Sequence, residues 1–393
     1  MNKKSALSII FLTVFIDLMG FGLLIPILPT FASKELGISD FGIGIIVAIY
    51  SFMQFIFNPM FGKLSDKHGR RPIILSTLLL TATSYIIFSF STAFWILALS
   101  RVVGGLGGSN IGVAQAYIAD ITTKEERAKG MGLIGAAFGL GFVFGPVVGA
   151  LLSQYGYAFA GYGSAAFSLM AFTFAYFKLP ESRNFEEKST ITRSKIFDFK
   201  FTFTVLKRPN VGFLIVLFFV IVFSMANIYG TFSILGYKYY HFSDMENGLL
   251  FAIIGIVGAI IQGGFIKQLA KLFNDRNMIL FGTVFMILGL AAIPYGQNFL
   301  GVAIAGGILA IGTGVLQPTI LSMVSKYSHD SEQGSVLGIN QSFSALARVL
   351  GPIWGGFSFH YLGYQAPFLT GSLFALLTFL ATFFFFNSTE VIK

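Results

Sequence analysis

Three charged side chains stand inside long apolar runs of the sequence: Asp17, Arg101 and Arg348. A charge at the centre of a hydrocarbon layer costs about 2.5–3.5 kcal/mol on insertion scales, so each of these residues needs an explanation. Burial disfavours the ionised form of a carboxylate, which makes Asp17 a candidate for taking up a proton on one side of a membrane and releasing it on the other. The alternatives for Asp17 are a structural ion pair or a polar cap near the surface.

The two arginines are not expected to carry protons themselves, because a guanidinium stays protonated in proteins. Arg101 is a candidate for tuning a nearby carboxylate, or for holding water or polar groups of a substrate. Its alternative is an arginine that extends to the membrane interface. Arg348 is a candidate counter-ion for an anionic substrate, since a guanidinium binds carboxylate or phosphate through two parallel hydrogen bonds. Its alternative is a pairing with Asp17 or with a backbone carbonyl beside Gly351-Pro352.

Amide side chains at helix positions form a further set of candidates, because they suit a cavity that handles uncharged polar groups. The alternative is that they hydrogen-bond between helices and hold them together. The candidate cavity residues are Gln54, Asn58, Asn110, Gln115, Asn227, Gln262, Gln317 and Gln341, together with Arg348.

The elements that must position these residues follow from the composition. The chain has 393 residues, of which 55% are hydrophobic and 11% are charged, and its mean hydropathy is +0.78. Ordinary soluble domains are about one quarter charged, and an apolar helix of about 20 residues crosses a bilayer. The sequence therefore predicts an all-α integral membrane protein. It contains no cysteine, which excludes disulfides and thiolate metal sites, and no cofactor is predicted.

Twelve transmembrane helices are predicted, joined mostly by short loops that force neighbouring helices to run antiparallel. Their ranges are about 8–31, 41–61, 73–93, 95–119, 130–152, 161–178, 211–236, 247–267, 278–296, 299–325, 334–358 and 365–386. The first range is too long for the apolar region of a cleavable signal and is interpreted as a span. The predicted organisation is a six-helix half at 1–180, a cytoplasmic linker at 181–209 and a second six-helix half at 210–393.

The net charge of +9 predicts a topology, and no nucleic-acid partner is expected. When loops are assigned alternately to the two sides, 22 of the 26 Lys and Arg fall on the side that holds the N-terminus. Lys34 and Lys238 fall on the opposite side, while Arg101 and Arg348 lie within spans. Because basic residues concentrate in cytoplasmic loops, both termini are predicted to be cytoplasmic.

The two halves repeat. A shift of 206 residues places Leu140–Ala150 on Leu346–Gly356, so that Gly145-Pro146 matches Gly351-Pro352 and Arg348 stands where the first half has Phe142. A shift of 205 places the charged loop Gly62–Pro72 on Lys267–Asn277. Two parallel repeats are a known layout of secondary transporters, with the binding cavity at mid-membrane between them.

The charged loop reads GKLSDKHGRRP and resembles the signature loop of the major facilitator superfamily of transporters. Ile16–Pro29, Met53–Pro72 and the fourth span from Ser100 to Thr122 are similar to tetracycline-efflux proteins of the drug:proton antiporter branch. The fifth span carries a G-x-x-x-G-P-x-x-G element over Gly141–Gly149 that is associated with antiporters.

This resemblance implies a monomeric carrier in the cell (inner) membrane that works by alternating access, in which one cavity opens to each side in turn. Its partners would be protons, the lipid bilayer and a small-molecule substrate, with Asp17 and Arg101 in proton coupling. Ser84 and Gly258 stand where the tetracycline proteins have an acid and a histidine, and Arg348 is an addition. These departures count against tetracycline itself, and the expected function is proton-coupled export of drug-like amphipathic organic compounds. The alternative is a proton-coupled or passive carrier of a small organic anion or sugar.

The resemblance also implies a conformational latch at the charged loop. Its residues are Gly62, Asp66, Gly69, Arg70, Arg71 and Asp120. Gly62 and Gly69 would allow close backbone approach, Asp66 would face the start of the eleventh span near Gln333, and Arg70 would pair with Asp120. The alternative is a positively charged topology anchor. The antiporter-type residues Gly141, Gly145, Pro146 and Gly149 would form an interface that limits leakage, or would serve packing alone.

Two other function classes compete with a transporter. An enzyme is not predicted, because the chain lacks HExxH, paired intramembrane acids and any Ser–His arrangement within its spans. A channel would conduct, whereas two repeats with an isolated carboxylate favour alternating access.

Overall fold

The computed structural model describes residues 3–122, 124–182, 199–328 and 332–385. Within these ranges all regular secondary structure is helical. The helices are α1 Lys3–Lys34, α2 Asp40–His68, α3 Arg70–Ser89, α4 Phe94–Gly107, α5 Asn110–Ile121, α6 Lys124–Ser153, α7 Tyr157–Lys178, α8 Phe199–Leu206, α9 Pro209–Ala226, α10 Thr231–Tyr239, α11 Asp244–Ile260, a π-helical turn Ile261–Phe265, α12 Ile266–Leu272, α13 Asp275–Ala292, a 3₁₀ turn Ile293–Tyr295, α14 Phe299–Lys326, α15 Gln333–Tyr361 and α16 Ala366–Phe385.

The predicted fold class is confirmed. In the described part of the chain, eleven helical stretches are long and apolar enough to cross a membrane. The twelfth span is α15, which has 29 residues and carries several polar side chains, among them Asn340 and Arg348. The chain is an all-α multi-pass membrane protein with twelve spans in two repeats.

The spans form two compact units. Unit 1 comprises the described residues within Met1–Ile38, Ile49–Ser194 and Ser243–Ala252. Unit 2 comprises those within Ser39–Ala48, Lys195–Phe242 and Ile253–Lys393. The first turns of α2 thus belong to unit 2, and the first turns of α11 belong to unit 1. Sequence patterns did not predict this exchange, because they do not report which helices a given turn packs against.

Three spans that were predicted as continuous helices are interrupted. The fourth span breaks at Gly108-Ser109 between α4 and α5, and the seventh breaks at 227–230 between α9 and α10. The eighth contains the π-helical turn Ile261–Phe265, which includes Gly263 and Gly264. Glycine weakens a helix, and interrupted backbone is tolerated at membrane depth where protein groups satisfy it. At the first break, the Gln54 amide donates a hydrogen bond of 2.8 Å to the Gly108 carbonyl.

Glycines let the first helix of each half pack closely. In unit 1, α6 places Gly141, Gly145 and Gly149 against α1, and a Cβ added at Gly145 would lie 2.7 Å from the Gly22 Cα. In unit 2, α15 places Gly351 and Gly355 against Ala226, the last residue of α9, and Asn227, which directly follows it. The glycine stripe read from the sequence is therefore a helix-packing surface inside each unit.

The predicted linker holds a short helix, α8, directly before the seventh span. Residues 183–198 of this linker, and both ends of the chain at 1–2 and 386–393, lie outside the described residues. The division into halves at 180 and 210 stays a prediction.

Candidate functional site

Asp17 lies on α1 in the interior of unit 1 and is 6% exposed. Its Oδ2 accepts a hydrogen bond of 2.6 Å from the Asn110 amide, and its Oδ1 accepts one of 2.7 Å from the Ser168 hydroxyl. Among the described residues, no Lys or Arg forms an ion pair with it. Asp17 is thus a buried carboxylate held by two neutral donors, rather than a member of a structural ion pair.

The interruption of the fourth span positions one of these donors. Asn110 is the first residue of α5, directly after the break, and its side chain points at Asp17. Sequence reasoning selected Asn110 but missed Ser168 on α7. Serine hydroxyls in apolar helices usually bond to a carbonyl of their own helix, as Ser164 does with Ala160. Nothing in the sequence distinguished Ser168 from such a serine.

Arg101 lies on α4 and is 5% exposed, so it is buried in unit 1 rather than extended to the surface. Its Nε donates a hydrogen bond of 3.2 Å to Ser100, and its guanidinium lies 5.8 Å from the centre of the Phe88 ring. Its Nη2 is buried and has no hydrogen-bond partner among the described residues. A buried donor of this kind is suited to binding water or a polar group of a ligand.

Tyr85 lies near both the aspartate and the arginine. It is buried on α3, within electrostatic range of Asp17, Arg101 and Tyr50. Sequence reasoning missed both tyrosines, because aromatic residues in an apolar helix carry no signal that separates a site from a core. Asp17, Asn110, Ser168, Tyr85 and Arg101 are hereafter called the Asp17 cluster.

The other amide candidates of unit 1 divide into two kinds. Gln54 bonds to the backbone at the break of the fourth span, which is a structural contact. The buried Oδ1 of Asn58 has no hydrogen-bond partner among the described residues, and it lies 3.9 Å from the position of a Cβ at Gly112. Gln115 is exposed. A cavity role stays a prediction for Asn58 and Gln115.

In unit 2, the polar side chains of α15 form a stripe. Asn340, Ser344 and Arg348 follow at i, i+4 and i+8 on one face of the helix. Arg348 donates a hydrogen bond of 2.7 Å to Ser344 and interacts electrostatically with Tyr229. Asn340 is 0% exposed, and neither polar atom of its amide has a partner in the described part of the chain. Sequence reasoning missed Asn340 and Ser344, although their four-residue spacing from Arg348 was visible.

The remaining amides of unit 2 are not gathered at that stripe by any contact described. Asn227 is buried and donates to the Pro367 carbonyl, so it holds the broken seventh span against α16. Gln262 is exposed in the π-helical turn, Gln341 is exposed on α15, and Gln317 is half-buried next to Pro318. Their expected cavity role stays a prediction.

The charged loop forms a compact network at one end of unit 1. Arg70 contacts Asp66 at 2.7 Å, Asp120 at 2.9 Å and the Ser65 hydroxyl at 2.7 Å. The carboxylate of Glu181 accepts hydrogen bonds from the backbone N–H groups of Arg70 and Arg71, at 2.9 and 3.1 Å. Glu181 therefore caps the start of α3, a role that sequence reasoning did not assign to it.

Two other expectations about this loop have different outcomes. Gly69 has a φ of +100° and directly precedes α3, and a Cβ there would lie 2.4 Å from Glu181 Oε2, so glycine is required. The expectation of close approach at Gly62 is wrong for the described part of the chain, in which a Cβ there would meet no atom within 4 Å. Arg71 donates a hydrogen bond of 2.6 Å to the Tyr176 carbonyl, so its side chain holds α3 to α7.

Within the described residues, no group of three or more His, Asp or Glu is placed to hold a metal ion.

Comparison with known proteins supports the same class from a different direction. The family model described as Major Facilitator Superfamily matches residues 10–299 and 264–392. A tetracycline resistance protein, class C, of Escherichia coli is 31% identical over 90% of this chain and 89% of its own. Multidrug resistance protein 2 of Bacillus subtilis (strain 168) is 29% identical over 94% and 92%. The crystal structure of the human organic anion transporter MFSD10 (TETRAN) has a TM-score of 0.73 and 25% identity, covering 97% of this chain and 100% of that chain.

Proposed function

Since the chain belongs to the Major Facilitator Superfamily, and is thus a membrane transporter of small molecules and not an enzyme, we propose that it is a proton-coupled antiporter. It exports drug-like amphipathic organic compounds by alternating access. The relatives named for tetracycline and multidrug resistance support this direction and cargo. It resides as a monomer in the cell (inner) membrane, with both termini in the cytoplasm.

The Asp17 cluster is the observation that carries the proposal. A buried carboxylate held by neutral donors, with no ion pair among the described residues, has no fixed cation to keep it ionised. Loading a proton therefore changes the net charge of the cluster by one, in surroundings where charge is costly. Arg101 contributes a buried donor that has no hydrogen-bond partner among the described residues, where water or a polar group of a substrate can bind.

Reconstitution in liposomes tests the proposal. The protein is sealed with a pH dye inside, a proton gradient is imposed, and amphipathic cations, neutral drugs and organic anions are added in turn. We expect proton movement opposite to an amphipathic compound, and we expect Asp17→Asn to abolish it. The matched control is Asp275→Asn, which removes a carboxylate that pairs with Lys326 at a half-exposed position. Undiminished gradient-driven transport by Asp17→Asn would rule out this residue as the coupling group.

A second candidate function is a carrier of small organic anions. The stripe Asn340–Ser344–Arg348 supports it, because one face of α15 carries a guanidinium and, two turns earlier, a buried amide that has no partner among the described residues. The relative MFSD10 is named an organic anion transporter. Arg348→Gln should then abolish uptake or efflux of anions and leave neutral compounds unaffected. An equal loss for both substrate classes would count against the counter-ion role.

We also propose that the charged loop is a conformational latch. The contacts of Arg70 with Asp66 and Asp120 support it, since they concentrate opposite charges on a single guanidinium at the end of three helices. Asp66→Asn should shift the balance between the two access states and slow transport. Normal transport with an unshifted balance would favour a simple topology anchor.

For the stripe Gly141–Gly149, an interface that limits leakage stays a proposal beside its observed packing on α1.

A further inference from the structure

The helix ends that the topology predicts on the outer side of the membrane carry a repeated pair of charges. Lys34 and Lys238 are 204 positions apart, as are Asp40 and Asp244. Each aspartate lies in the first turn of its helix, α2 or α11, and each follows a serine. These two lysines are the only Lys or Arg that the sequence assigns to loops at this end. The repeat therefore places one acid and one base at equivalent positions in each half.

In unit 2, Asp40 is 8% exposed and lies between two bases. Its Oδ1 lies 2.6 Å from the Lys238 Nζ, and its Oδ2 lies 3.6 Å from the His360 Nδ1. Lys238 ends α10 and His360 ends α15, so the carboxylate joins the first turn of α2 to both helices. A partly buried ion pair of this kind is costly to break, because it leaves an uncompensated charge.

In unit 1, the equivalent Asp244 contacts a tyrosine, and that tyrosine in turn contacts a lysine. The Tyr157 hydroxyl at the start of α7 hydrogen-bonds to Asp244, and the Lys34 Nζ lies 5.7 Å from the centre of the Tyr157 ring. Tyr157 thus connects the carboxylate of α11 with the lysine at the end of α1. The two clusters share the repeat-related starts of α2 and α11 and ends of α10 and α1, whereas the third residue differs, since His360 ends α15 and Tyr157 begins α7.

The helix backbones also approach one another closely near these helix ends. A Cβ at Gly44 of α2 would lie 2.3 Å from the Pro352 carbonyl oxygen of α15, and a Cβ at Gly248 of α11 would lie 2.7 Å from the Pro146 carbonyl oxygen of α6. Gly44 and Gly248 are again 204 positions apart, and Pro146 and Pro352 are 206 apart. Both repeats therefore dock a glycine onto the carbonyl of an intrahelical proline, one turn beyond the aspartate.

We propose that the Asp40–Lys238–His360 and Asp244–Tyr157–Lys34 clusters are a two-part outer latch. They form when the first turns of α2 and α11 are docked, and they separate when the transporter opens at this end. The inference rests on alternating access. It assigns to the outer side the type of charged contact that the loop Gly62–Pro72 supplies on the other side.

The absence of cysteine from the chain allows a direct test. Ile43 of α2 and Leu250 of α11 are 0% and 1% exposed, so Ile43→Cys and Leu250→Cys react with a membrane-impermeant maleimide only when the docked turns separate. Lys238→Gln and Asp40→Asn should accelerate labelling at position 43 by at least about tenfold, the effect of breaking a partly buried ion pair. Tyr157→Phe should do the same at position 250.

Controls separate the latch from general loosening. Lys326→Gln breaks the exposed pair with Asp275 and should leave both labelling rates unchanged. The exchange Asp40→Lys with Lys238→Asp should restore slow labelling, which a merely damaged fold would not. Unchanged rates in Asp40→Asn, Lys238→Gln and Tyr157→Phe would overturn the latch. The assay needs no substrate, so its result is independent of whether drug export itself is confirmed.

Discussion

At the residue scale, the sequence identified charged groups well and their neutral partners poorly. Asp17, Arg101 and Arg348 were visible because a charge in an apolar run violates the surrounding pattern. Ser168, Tyr85 and Asn340 were not, because hydroxyls and single amides are common in membrane helices and become meaningful only through a partner on another helix. Glu181 carried no such signal either, since a cap on α3 from 111 positions away depends on the fold.

The first residue-scale prediction concerns the donor at the break of the fourth span. Asn110→Ala removes the 2.6 Å hydrogen bond to Asp17 and should lower proton-coupled transport roughly ten- to a hundredfold, the worth of a hydrogen bond to a charged group. Transport in liposomes measures it. Thr173→Ala, which removes an exposed hydroxyl that bonds to its own helix on α7, is the control and should have little effect. Equal losses in the two variants would indicate that the loss of any polar group, and not of the Asp17 contact, is responsible.

At the scale of elements, helix positions were predictable and helix interruptions were not. Hydropathy locates an apolar run but does not show where its hydrogen bonding changes, as it does at Gly108-Ser109 and at Ile261–Phe265. The glycines at both places were visible, yet glycines are equally frequent in continuous spans such as α6. Whether a span that contains glycines is interrupted depends on whether a neighbouring group satisfies the freed carbonyl, as Gln54 does for Gly108.

An element-scale prediction uses two glycines of α6 as a matched pair. A Cβ at Gly145 would lie 2.7 Å from the Gly22 Cα of α1, whereas a Cβ at Gly139 would meet nothing within 4 Å. Gly145→Ala should lower the free energy of unfolding by about 1–3 kcal/mol through overpacking, and Gly139→Ala should be neutral or stabilising. Thermal unfolding in detergent measures both. A larger loss for Gly139→Ala than for Gly145→Ala would contradict the packing of α6 on α1.

At the scale of the whole molecule, composition and internal repetition predicted the class, the twelve spans and the repeat. They did not predict that the first turns of α2 and α11 would each be built into the other unit. The equivalence of Asp40 with Asp244, and of Lys34 with Lys238, was present in the sequence. It gained meaning only when each aspartate was found beside basic or aromatic residues at the ends of other helices.

A whole-molecule prediction concerns topology. The distribution of Lys and Arg places the loop Gly62–Pro72 in the cytoplasm and the start of α2 on the outside. Because both positions are exposed, Ser39→Cys in intact cells should react with a membrane-impermeant maleimide, and Lys67→Cys should react only after the cells are opened. The reverse pattern would invert the orientation, and with it the assignment of the outer latch.

The most direct test of proton coupling at Asp17 is substrate-induced proton release from the purified transporter in weakly buffered detergent solution. Addition of an amphipathic compound that binds should release protons from the wild-type protein and none from Asp17→Asn, while both proteins still bind it. Asp275→Asn should behave as wild type, since its exposed ion pair with Lys326 lies outside the Asp17 cluster. Equal proton release from wild type and Asp17→Asn would contradict the account, because the coupling proton would then reside elsewhere.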